Sequence, residues 1–153
     1  MNLLLSRILT YLNGTLLYDS HYQFCKFIIY NYLELEDLSF NEVSLKSGIS
    51  KKDILDFCIL LGFNDYESFK AKLVRDHMIR LDQIRARMLG VSSEKLINEM
   101  EKSCTNETMK EYISIICEAI FKAKRVILVG ALFPMSIAVE FQTDLVTFGK
   151  PVI

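Results

Sequence analysis

The residues best placed for chemistry are charged and hydroxyl side chains between positions 39 and 56. Ser39, Ser50, Lys51, Lys52, Asp53, Leu55 and Asp56 fall at the starts and on the outer faces of two consecutive short helical patterns. Hydroxyls and lysines at a helix start meet phosphate well, because free backbone N–H groups point the same way. Other chemistries are poorly provided for. The cysteines Cys25, Cys58, Cys104 and Cys117 include no C-x-x-C pair, and His21 and His77 lie far apart. No pattern calls for a metal, a cofactor or a catalytic dyad, and the cysteines read as reduced, mostly buried small hydrophobes.

Two helices must position that cluster. Ser39-Phe40-Asn41-Glu42 is a capping box, and Ser50-Lys51-Lys52-Asp53 repeats the device. Gly48 stands between them, where a positive φ ends a helix. The second helix, over residues 50–61, carries Ile54, Phe57, Cys58 and Leu61 inward at i, i+3, i+4, i+7 spacing. Ser44 supplies the small residue where the helices cross, and Ile54 the aliphatic anchor. The pair is a helix-turn-helix candidate, and Ser39, Ser50, Lys51, Lys52, Asp53, Leu55 and Asp56 are its candidate DNA contacts.

Further helices surround the pair. Residues 5–12 repeat leucine and isoleucine at helical spacing and stop at Asn13-Gly14. Residues 19–32 form a second helix with Phe24, Phe27 and Ile28 inward. Asn64 opens a weaker third box. A longer helix over 69–88 places Leu73, Val74, Met78, Leu81, Ile84 and Met88 on one side. Its other face is basic: residues 70–90 hold six Lys and Arg against two Asp, a local charge of +4. That face reads as solvated, with a DNA-backbone or dimer-linker role as the alternative. Residues 93–102 are helical and acidic, and Thr108 caps a helix to about residue 123.

The period changes after that. Residues 125–129 are a short apolar run closed by Gly130, the pattern of a buried strand. Pro134 and Ser136 open a helix with Ala138, Phe141, Leu145 and Phe148 inward. Residues 151–153 begin a second strand, so 124–153 has the order and length of a βαβ unit. One such unit cannot cover a parallel sheet, and the expectation is that the chain stops inside its second domain.

These blocks resemble the RpiR (MurR) family of bacterial transcriptional regulators. The likeness rests on residues 39–50, Ile54, Phe57-Cys58, Leu61-Gly62-Phe63 and residues 66–70. It resumes at residues 123–130, Phe141, Leu145 and Gly149-Lys150-Pro151-Val152, and spans about residues 20–153. The resemblance implies a mainly α chain. A helix-turn-helix bundle over 1–78 and linker helices over 79–105 precede the start of an α/β sugar-isomerase (SIS) domain over 106–153. It implies operator DNA as partner, a homodimer, a cytoplasmic setting and a phosphosugar effector held at Gly130 and Ser136.

The chain departs from the family pattern in both candidate sites. The outer face of the recognition helix carries Asp53, Asp56, Ile59 and Leu60 where the family carries Thr and Arg. Asp53 is explained by capping; Asp56 is not. Lys51 and Lys52 remain as phosphate contacts. In the sugar loop, Leu132, Phe133 and Pro134 replace small and hydroxyl residues, which removes hydrogen-bond donors.

Composition sets outer bounds. Of 153 residues, 51% are apolar and 24% charged, which predicts a packed core. The formal net charge is -1, and residues 1–90 hold 11 basic and 11 acidic residues, so no strong field draws the chain to nucleic acid or membrane. No run reaches the roughly 18 apolar residues of a membrane span. The apolar stretch 1–17 is interrupted by Arg7, Asn13 and Gly14 and lacks a basic start, so it does not read as a signal peptide.

Two other function classes stand beside the regulator. A sugar isomerase would need acid and base groups, but Glu140 and Asp144 have no evident base partner. A degenerate family member could instead be an interaction module that dimerises without touching DNA.

Overall fold

The computed structural model describes residues 3–88, 107–129 and 135–153. Seven helices occupy the described residues: α1 (Leu4–Gly14), α2 (Ser20–Tyr30), α3 (Phe40–Ser47), α4 (Lys51–Leu60), α5 (Tyr66–Met88), α6 (Glu107–Lys122) and α7 (Met135–Thr147). The architecture is mainly α-helical, as the periodicities predict. No helix among the described residues is long and apolar enough to cross a membrane. The expected helix at 93–102, Cys104 and most of the sugar loop, including Gly130, lie outside the described residues.

Local rules place most helix ends. Asp19 caps α2 by accepting the Tyr22 N–H at 3.0 Å. Ser39 and Glu42 form the reciprocal capping box of α3, with Glu42 accepting the Ser39 N–H at 2.8 Å. Gly48 and Gly62 take φ of 70° and 90° and turn the chain out of α3 and α4. The third cap is Asp65 rather than Asn64: its carboxylate accepts the Ser68 N–H at 2.7 Å. Thr108 lies inside α6, which already includes Glu107.

The core joins α1 to α5. Leu5, Ile8, Leu9, Phe24, Ile28, Val43, Ile54, Phe57, Phe69 and Leu73 are all buried in one cluster. Phe24 meets Phe57 and Phe69 at centroid distances of 5.7 and 6.1 Å.

Two faces differ from the sequence expectation. On α5, Met78 is half exposed while Leu73, Asp76 and Arg80 face inward, with Asp76 1% and Arg80 7% exposed. Burial follows pairing here. Asp76 accepts the Leu4 N–H at the start of α1 at 2.8 Å and is ion-paired with Lys72. Arg80 holds Asp144 at 2.6 Å and Glu140 at 3.3 Å, both on α7. On α7, Gln142, Thr143, Val146 and Thr147 are buried, while Phe141 and Phe148 stay exposed. The polar face of α7 docks because α1 offers it partners. Asn13 Nδ2 donates to Gln142 Oε1 at 2.7 Å, and Ser6 and Thr143 hydroxyls lie 3.4 Å apart.

The expected βαβ unit is reduced as well. The described residues contain no strand, only a parallel bridge between Val126 and Val152. Its bonds run from Val126 N to Pro151 O at 3.2 Å and from Ile153 N to Val126 O at 3.0 Å, and Leu128 N donates to Ile153 O beside them at 2.9 Å.

Asp76→Ala removes an ionised acceptor from a buried backbone donor. It should lower unfolding free energy by about 2 kcal/mol, the scale of a hydrogen bond to a charged group, read by urea denaturation. A second expectation concerns pH. His77 packs edge-on against Tyr32 at 5.3 Å, and burial holds its pKa below the ordinary 6.5 despite the opposing charge of Glu36. The folded state therefore binds protons less readily than the unfolded one. This contribution to stability is complete above pH 6.5 and declines as pH falls below it. Denaturation midpoints measured from pH 7.5 to 5.5 should show that decline, and His77→Gln should flatten it.

Candidate nucleic-acid interface

The turn between α3 and α4 is built by small polar residues. Ser44 Oγ donates to the Ile49 carbonyl at 2.6 Å, and Ser47 Oγ accepts the Ile49 N–H at 3.2 Å. A larger residue at Ser44 would push the helices apart at their crossing. Ser50 Oγ accepts the Asp53 N–H at 3.1 Å and donates to the Asp53 carboxylate at 2.7 Å. Asp is one methylene shorter than Glu, so the carboxylate bonds the Ser50 hydroxyl and leaves the Ser50 N–H outside the box. Below the turn, Ile54, Phe57 and Cys58 seat α4 in the core. Phe57 meets Tyr11, His21 and Phe24 at 5.4, 5.4 and 5.7 Å.

The sequence-predicted residues sit at the cap of α3 and over the cap and first turns of α4. Ser39, Ser50, Lys51, Lys52 and Asp56 are exposed; Asp53 and Leu55 are half-buried. Lys51 Nζ lies 5.7 Å from the Phe40 ring centroid, a cation–π contact that holds the ammonium beside the first turn of α4. The end of α4 is different. Ile59 and Leu60 are more than half exposed, and Leu45 on α3 is 81% exposed. The surface is therefore a cationic helix start, one carboxylate a turn later, and an aliphatic end.

The basic face of α5 contributes little free charge. Lys70 Nζ donates to the carbonyls of Glu36 at 3.2 Å and Leu38 at 3.0 Å, closing the turn that leads into α3. Lys72 and Arg80 are committed to Asp76 and to α7, and Arg85 pairs with Asp82 at 3.5 Å. Four of the six basic residues thus have intramolecular work.

Ser136 is exposed. It lies in the first turn of α7 and lines a cleft of about 770 Å³ together with Arg7, Thr10, Asn13, Leu61 and Val139. Arg7, read from sequence only as an interruption of an apolar run, donates to the Leu61 carbonyl at the end of α4 at 3.1 Å. The signal available was a cation on the outer side of an otherwise apolar helix. Among the described residues, no group of three or more His, Cys, Asp or Glu is arranged to hold a metal ion.

The thiols follow burial. Desolvation, with Asp65 adding to it, pushes the Cys58 thiol up to about 12 and raises Cys25 further, so both stay protonated. Cys117 is exposed.

No protein-family model, curated protein or solved structure matches this chain.

Phe57→Ala should cost about 3–5 kcal/mol, because it empties the contact that seats α4 on α1 and α2. That is comparable to the stability of a small domain. A thermal melt should show the helical signal lost at a much lower temperature.

Proposed function

We propose that this chain is a non-enzymatic transcriptional regulator of the RpiR type, acting in the cytoplasm and contacting duplex DNA as a dimer through α3 and α4. The observation that carries the reading is the α3–α4 unit itself. Two capped helices meet at a left-handed glycine, and the second presents Ser50, Lys51 and Lys52 together at an exposed helix start. A duplex backbone would meet two ammonium groups and free N–H groups there. Residues 123–153 enter this reading as the beginning of an SIS-type domain. The parallel sense of the Val126–Val152 bridge around α7 is the direction such a unit requires.

Phosphosugar binding by this chain is not part of the proposal. Leu132, Phe133 and Pro134 lack the donors that a phosphate loop uses, and Ser136 offers one hydroxyl. Nor is isomerase activity: Glu140 and Asp144 are both ion-paired with the Arg80 guanidinium, and the sequence offers no evident base for them to work with.

One observation favours a second reading. Exposed Leu45, Ile59 and Leu60 beside Asp56 suit a protein partner better than a polyanion, as an interaction module would need.

Binding of the full chain to a duplex selected from a randomised pool, and to random duplex, at two salt concentrations decides between them. Lys51→Ala with Lys52→Ala should weaken binding to all sequences and flatten the salt slope by about two phosphate contacts. Asp56→Arg should tighten binding by removing a repulsive charge. If it instead abolishes sequence preference and spares non-specific affinity, Asp56 accepts a hydrogen bond from a cytosine amino group. Affinities untouched by either change, or no duplex bound at all, overturn the DNA reading in favour of the interaction module.

A further inference from the structure

Helix α6 is the element with least cover. No described residue of it belongs to the buried core cluster or to the hydrophobics packed on that cluster. Lys150 holds its C-terminal end by donating to the carbonyls of Phe121 at 2.8 Å and Ala123 at 2.6 Å. Tyr112, Ile115 and Ile116 are each more than half exposed. With Ala119 they form one apolar stripe along the helix. An exposed stripe of this kind on a charged chain marks an interface.

Charge on the rim of the stripe selects the occupant. Glu111 and Lys122 are both exposed and stand eleven residues apart, about three helical turns, so they share one side of α6. They flank the apolar set at opposite ends. Lys124 and Arg125 continue the cationic end, and Glu118 pairs with Lys122 at 2.5 Å within the helix. A surface acidic at one end, apolar in the middle and basic at the other is complementary to itself when one copy is reversed. Laid antiparallel about a two-fold axis near Ile116, two such helices bring Glu111 of each copy to Lys122 of the other. Laid parallel, they oppose like charges.

We infer that α6 pairs antiparallel with α6 of a second copy of this chain, with Tyr112, Ile115, Ile116 and Ala119 at the seam and a Glu111–Lys122 pair at each end. This isologous contact specifies the dimer of the DNA reading on a different surface from α3 and α4, and rests on that reading only for its purpose.

Sedimentation velocity of the full chain over a concentration series, without DNA, reads the contact alone. The wild type should show a monomer–dimer equilibrium. Ile116→Glu should give monomer with an unchanged helical signal. Glu111→Lys should weaken the dimer roughly tenfold, and adding Lys122→Glu should restore it, because the swapped charges are again complementary. The charge-swap pair keeps the test valid even if Ile116→Glu disturbs folding. A wild type that stays monomeric at high concentration overturns the inference and assigns the stripe to another partner. A dimer indifferent to all three variants overturns it equally. Dimerisation without duplex binding leaves this contact standing and removes the DNA reading; duplex binding by a monomer does the reverse.

Discussion

The Leu4 N–H lies at the first turn of α1, where a helix has donors and no carbonyls of its own to meet them. It is answered from 72 residues away, by the Asp76 carboxylate at 2.8 Å. Much else depends on that bond. It fixes α1 against α5, and α1 carries Leu5, Ile8, Leu9 and Leu12 into the core on which α2 and α4 rest. It fixes the rotation of α5, because a helix that turns Asp76 inward also turns Arg80 inward one turn later. An aliphatic residue at position 76 would pack there but leave a buried donor unmet, which costs more than the burial gains.

That rotation explains why some of the fold was legible and some was not. Capping boxes, left-handed glycines and the inward stripe of α4 are local devices, each decided within about five residues. The sequence therefore placed Ser39, Gly48, Ser50, Ile54 and Phe57 correctly. The faces of α5 and α7 are decided by partners 60 and more residues away: Asp76 by Leu4, Arg80 by Asp144 and Gln142 by Asn13. A hydrophobic pattern assigns polar residues to water unless their partners are known. On α7 it therefore chose Phe141 and Phe148 over Gln142 and Thr143. The apolar run at 125–129 has the pattern of a buried strand, but the described residues hold no strand there, only the bridge of Val126 to Val152. Arg7 was overlooked for a related reason: its bond to the Leu61 carbonyl exists only once α1 and the end of α4 are adjacent.

The same economy governs charge at the candidate interface. A neutral half-chain can still present a cationic spot if its other cations are consumed internally and its acids are paired or placed elsewhere. Lys70, Lys72 and Arg80 are consumed by carbonyls and carboxylates of this chain, and Glu42 is bound to Ser39. Lys51 and Lys52 are left at a helix start with an aromatic ring beneath one of them. Local field, rather than net charge, is what a phosphate senses within a screening length of about 8 Å at physiological salt. Asp56 lies within that range of the lysines in sequence, one helical turn on, so it sets how strong the spot can be.

The polar docking of α7 has a consequence for the C-terminal part. α7 gives Gln142 and Thr143 to α1 and buries Val146, while Ile137, Phe141 and the following Phe148 stay exposed. The outward residues Ile127 and Val129 beside the parallel bridge, and the stripe on α6, are exposed too. Apolar surface on this scale is costly to leave in water, at about 25 cal/mol per Å². In the N-terminal helices Phe24, Phe57 and Phe69 close on one another in the core, and the exposed aliphatics are Leu45, Ile59 and Leu60 of α3 and α4 among others. Val146 of α7 and Val152 belong to the same buried cluster, so the C-terminal part is seated on the N-terminal core while no described residue of α6 joins it. The Arg80 contacts with Asp144 and Glu140 tie α7 to α5, on the same inward face of α5 that Asp76 presents to α1.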